Sequence, residues 1–173
     1  MKSLSEQLAF YQSYHRTPGC KATHFLGVPL VTFSILIPMG WLSLDVSGHR
    51  VTLAMAFVLS ALVYYFLLEP VLATLMTLTM LPMTWAADWI SRLPFGTSLS
   101  VFIISFVLGW AFQLIGHAIE GKRPALLVNF VQAVLTAPLF LWAEVLLALG
   151  WKGPLANGRA DGGGSAKGGT VKP

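Results

Sequence analysis

Long apolar runs separated by short polar breaks dominate the chain. Five of them follow one another, at about 25–44, 51–68, 71–87, 99–116 and 126–149. Each is near the roughly 20 residues that an α-helix needs to cross the hydrocarbon core of a bilayer. The third run is slightly short. The fifth is long and contains Pro138 and Glu144, which predict a kink, a tilt or two shorter pieces. Pro29 and Pro38 inside the first run are tolerated in a membrane helix.

Ahead of these runs, residues 3–16 predict an amphipathic helix. Ser3 and Glu6 have capping-box spacing, and Leu4, Leu8, Tyr11 and His15 share one helical face. Such a helix lies along a membrane surface. Thr17-Pro18-Gly19 reads as a break after it. From Gly153 the chain becomes Gly-rich and polar, which predicts a disordered tail over 153–173. The pattern thus predicts an all-α polytopic membrane helical bundle over 1–152, with about five transmembrane segments and an N-terminal amphipathic helix.

Composition agrees with this. Of 173 residues, 55% are hydrophobic and 10% charged, and the mean hydropathy is +0.71. Soluble domains average about 25% charged residues, so this chain has too few to cover a water-facing surface. Trp41, Trp85, Trp89 and Trp151 fall at segment ends, where an aromatic belt places them. The formal net charge of +4 fits anionic lipid headgroups better than nucleic acid, since no nucleic-acid motif accompanies it. The first 24 residues lack the apolar core and small-residue cleavage site of a signal peptide. The single cysteine, Cys20, excludes an intrachain disulfide and a multi-cysteine zinc site, and reads as a small apolar filler.

Counting crossings then groups the polar residues. If the first four segments span, His15, His24, Glu69, His117 and Glu120 share one side of the membrane, and His49 lies on the other. The shared side also carries Lys2, Arg16, Lys21, Lys122 and Arg123, which predicts that it faces the cytoplasm when the distal tail is discounted. An integral, multi-pass protein follows, in the inner membrane of a bacterium or the endoplasmic reticulum of a eukaryote.

Gln113, His117 and Glu120 stand at i, i+4 and i+7, a polar stripe at the end of the fourth segment. Asn129, Gln132 and Thr136 form a second stripe across one short loop. Two readings of Asn129 and Gln132 stay open: hydrogen bonding between helices, or orientation of metal ligands. Three imidazoles on one side with two carboxylates nearby predict a metal centre from His15, His24, His117, Glu120 and Glu69. Imidazole suits iron, zinc, copper or nickel, and added carboxylate leans towards non-haem iron. These residues by themselves imply a membrane metalloenzyme whose metal is open.

A resemblance narrows this. Tyr14-His15-Arg16, then His24 followed by Gly27-Val28-Pro29, is similar to the start of a family of small membrane 2-hydroxy fatty acid dioxygenases. Gln113-Leu114-Ile115-Gly116-His117, Glu120, Arg123-Pro124-Ala125-Leu126, Asn129, Gln132 and Pro138 resemble that family's signature block. The likeness runs from about residue 11 to 140. It implies Fe(II)-dependent oxidation by O2 of a long-chain 2-hydroxy fatty acid, with loss of one carbon. It carries essential roles onto His15, His24 and His117, and a further role onto Glu120. Glu69 comes from the crossing count alone. Arg16, Lys122 and Arg123 are placed to meet a substrate carboxylate, with Gln113, Asn129 and Gln132 supporting the ligands. The alternatives are a different lipid metalloenzyme, or a non-enzymatic scaffold or transporter with structural histidines. Di-iron hydroxylases and desaturases need more histidines than the four present, and no repeat supports transport.

Overall fold

Thr17 and Pro18 open a helix here. The Thr17 side chain accepts a hydrogen bond from the Cys20 N–H, and Pro18 takes the first helical position, where a missing N–H costs nothing. The structure, a computed structural model, describes residues 17–121 and 130–151. The predicted helix over 3–16 with His15 and Arg16, and Lys122, Arg123, Asn129 and the tail from Gly153, lie outside the described residues. So does the side chain of Gln132.

The described chain is mostly helical. In order it forms α1 (Pro18–Trp41), β1 (Ser43–Val46), β2 (His49–Thr52), α2 (Leu53–Leu68), α3 (Pro70–Ser91), α4 (Phe95–Glu120) and α5 (Phe130–Ala148). Three of these, α1, α3 and α4, are long and apolar enough to cross a membrane. The sequence reading of about five spans is therefore supported for three helices. α2, with 16 residues, is about 24 Å long, short of the roughly 30 Å hydrocarbon core.

Two boundaries differ from the hydrophobic pattern. Leu44 and Val51 belong to a hairpin, not to helices: β1 and β2 pair antiparallel, with Leu44 opposite Val51. Ser47 (φ 54°) and Gly48 (φ 79°) both have left-handed backbone, as the two-residue turn that suits strand twist demands. Asp45 Oδ1 accepts the Gly48 N–H at 2.9 Å. The fourth helix also extends past its apolar run at both ends, so His117 and Glu120 lie inside it.

Polar contacts fix the directions of the helices. Trp41, at the end of α1, donates to Ser98 Oγ at the start of α4 at 2.8 Å. Thr17, at the start of α1, bonds Glu120 at the end of α4. The two helices are therefore antiparallel. Asp88 ties the end of α3 to the hairpin: it accepts from Arg50 Nη1 at 3.0 Å and Arg92 Nε at 3.0 Å, while Arg50 also donates to the Gly40 carbonyl at 2.6 Å. The hairpin, with His49, closes one end of the bundle. Glu69, His24 and His117 belong to the other. Asp88→Ala would leave the half-buried Arg50 without its carboxylate partner, with only the Gly40 carbonyl and Ser91 Oγ as acceptors. A loss of about 2 kcal/mol is expected in thermal unfolding in detergent, with no change in metal content.

α5 is tethered to the end of the bundle that carries His24. Its Leu135 carbonyl accepts from Tyr65 Oη at 2.7 Å, and its Glu144 pairs with Lys21 Nζ. Tyr65 is one turn from the end of α2 and Lys21 one turn from the start of α1, so both tethers sit at the end carrying His24. Leu139, Phe140 and Ala143 of α5 join the apolar core there, with Tyr65, Leu72 and Met76.

Candidate metal centre

Because α1 begins at Pro18, Cys20 and His24 fall one helical turn apart on the same face. His24 is 1% exposed, His117 7% and Cys20 0%. The rings of His24 and His117 meet edge to face, with centroids 4.9 Å apart and an interplanar angle of 86°. One donor atom each from Cys20, His24 and His117 lies within 4.8 Å of the other two. Among the described residues this is the one group of three or more His, Cys, Asp or Glu side chains able to hold a metal ion.

Local geometry sets the His24 ring. Its Nδ1–H donates to the Cys20 carbonyl at 2.8 Å. This tautomer leaves the ring's lone pair on Nε2, the form that ligates a metal. Gly116 provides the room. A Cβ there would overlap Thr23 Oγ1 and stand 2.8 Å from His24 Nδ1 and 2.9 Å from Cε1. The same seam continues along both helices. A Cβ on Gly27 would meet the Gly109 carbonyl at 2.9 Å, and one on Gly109 would meet the Val31 nitrogen at 2.8 Å. Small residues let the backbones of α1 and α4 approach closely, and that approach brings His117 against His24. Gln113, one turn before His117, packs its Cγ beside Gly27.

The carboxylates have other partners. Glu120 Oε2 accepts from the Thr17 N–H at 2.8 Å and from Thr17 Oγ1 at 2.6 Å. It thus clamps the first turn of α1 to the last turn of α4 and places negative charge at a helix N-terminus. Glu69 caps α3, accepting the Leu72 N–H at 2.6 Å, and is not in the group with Cys20, His24 and His117. Lys21 is engaged by Glu144. Thr136, of the second polar stripe, is buried in α5. Glu120→Ala removes two hydrogen bonds to a charged acceptor. The expected cost is about 2 kcal/mol in thermal unfolding, together with weaker metal binding, and Thr17→Val should reproduce part of it.

Two imidazoles and a thiol, buried together, suit a first-row transition ion and do not single out iron. The comparisons with known proteins bear on which chemistry the site serves. A family model described as 2-hydroxy-palmitic acid dioxygenase Mpo1-like matches residues 1–149. The chain belongs to the Mpo1-like family. The 2-hydroxy-palmitic acid dioxygenase MPO1 of Saccharomyces cerevisiae is 35% identical over 156 residues, covering 86% of this chain and 82% of the yeast protein. No solved structure matches the chain. Both polar blocks that resembled the family, around His24 and around His117, thus fall within the Mpo1-like match, and the fold packs them against each other.

Proposed function

We propose that this chain is a membrane dioxygenase that uses Fe(II) and O2 to shorten long-chain 2-hydroxy fatty acids by one carbon. The buried edge-to-face pair of His24 and His117, in an Mpo1-like chain, is the observation that carries this reading. His24 and His117 would hold the ion, with His15 as the third imidazole. The ion would supply the centre at which O2 and the 2-hydroxy acid react.

The chain's own residues do the rest. The Glu120–Thr17 clamp and the Gly116 contact hold the two rings in register. The near-complete burial of His24 keeps bulk water from the reacting atoms. Arg16, Lys122 and Arg123 would meet the substrate carboxylate by charge-assisted hydrogen bonds, since Lys21 is committed to Glu144. Asn129 and Gln132 would support the ligands. Only 11% of the α4 span is buried inside the protein, and Val107, Leu108, Leu114 and Ile115 are exposed. An acyl chain arriving from the bilayer therefore has an apolar surface leading along α4 to His117. The site-bearing end of the bundle would face the cytoplasm, and the Gly-rich tail would be dispensable.

The test is oxygen uptake by detergent-purified, Fe(II)-loaded protein. 2-Hydroxypalmitic acid should drive uptake and give an acid one carbon shorter. Palmitic acid should not. Equal response to the two acids, or none to either, refutes the proposal.

A further inference from the structure

Cys20 has no part in the reading above, yet its thiol sits with both imidazoles. A buried cysteine usually fills space among apolar neighbours. Here Sγ lies 3.7 Å from His24 Nδ1 and in one group with the His24 and His117 rings. The spacing of Cys20 and His24, one turn apart on a helix, is that by which helices present two donors to one ion. A thiolate binds a first-row ion such as zinc at about 2.3 Å and an imidazole at about 2.0–2.1 Å, so donors sharing one ion stand roughly 3.5 Å apart. One donor atom from each of the three side chains already lies within 4.8 Å of the other two, so modest side-chain adjustment would close them onto one ion.

We infer that Cys20 Sγ is a further protein donor, beside the imidazoles, to the ion held by His24 and His117. This deepens the proposed metal centre and rests on it. The fold then offers a compact mixed sulfur and nitrogen face built from one turn of α1 and one residue of α4. Two consequences follow. The thiol must be deprotonated when the ion is bound. The site should also favour soft divalent ions more than an all-imidazole site would.

Anaerobic titration of the metal-free, detergent-solubilised full chain with Co(II), followed by absorption, tests this without turnover. Thiolate ligation gives an intense near-ultraviolet charge-transfer band, whereas imidazole ligation alone does not. Cys20 is the only cysteine in the chain, so the wild-type spectrum alone is decisive and does not depend on any variant folding. The expected result is a thiolate band that saturates at one Co(II) per chain. Cys20→Ser should lose the band while still binding Co(II), and its preference for Cd(II) over Co(II) should fall by about tenfold or more. Bound Co(II) with no thiolate band in the wild type overturns the Cys20 assignment and leaves the imidazole site standing. A band that survives in Cys20→Ser also overturns it. No Co(II) bound at all overturns the metal centre itself.

Discussion

Replacing His117 by alanine is expected to lower turnover of a 2-hydroxy fatty acid by at least about 100-fold and to strip the bound iron. Losing a group that merely orients a ligand already costs 10–100-fold in affinity or activity, so losing the ligand itself should cost at least as much. His24→Ala should behave alike, because the two rings are 4.9 Å apart and are proposed to hold one ion. Both variants should still fold, since neither His24 nor His117 belongs to the apolar cluster of Leu36, Ile37, Leu72 and Met76. His49 provides the contrast. It lies in an exposed strand at the far end of the bundle, and His49→Ala should retain both iron and turnover. Metal content by elemental analysis, read beside oxygen uptake, checks all three. A His117→Ala protein that keeps its iron and its rate would show that the pair is structural.

Gly116→Ala is the second large effect. The added methyl group would occupy the space of Thr23 Oγ1 and press on the His24 ring from 2.8 Å. Thr23 can rotate away. His24 cannot easily follow, because its Nδ1–H is held by the Cys20 carbonyl and its other neighbours are Cys20 and His117. Overpacking of this kind costs about 1–3 kcal/mol, and the displaced ring should weaken metal binding by about 10–100-fold. Gly109→Ala separates the two effects. Its Cβ would strike the Val31 backbone, one helical turn or more away from the imidazoles. It should cost at least as much stability while the folded fraction binds metal normally. Thermal unfolding and metal titration of the two variants provide the comparison. Equal metal affinity in both would mean that Gly116 matters for packing alone.

How much of this could be read from the sequence depends on where each signal lived. Apolar runs marked every described helix, because lipid-facing and core-facing residues are both apolar. The same blindness hid the hairpin, whose Leu44 and Val51 are exposed yet look like helix ends. Glu69 was placed at the correct end by counting crossings, but counting cannot distinguish a ligand from a helix cap, and its carboxylate caps α3. Cys20 read as an apolar filler for a local reason. Thr17-Pro18-Gly19 reads equally as a stop or a start, and only a helix starting at Pro18 puts Cys20 and His24 on one face. The signal was present: Thr followed by Pro is an N-cap followed by a first-turn proline. The Gly27, Gly109 and Gly116 seam could not be seen without knowing that α1 and α4 pack together. Glu120 was singled out by its spacing from His117, while its bond to Thr17 joins residues 103 positions apart.

The most direct test of the account is elemental analysis of the purified wild-type protein after anaerobic Fe(II) loading, paired with His117→Ala. The account predicts about one iron per wild-type chain and essentially none in the variant. A wild-type protein that binds no iron, or a variant that binds it equally well, would contradict the claim that His24 and His117 form a metal centre.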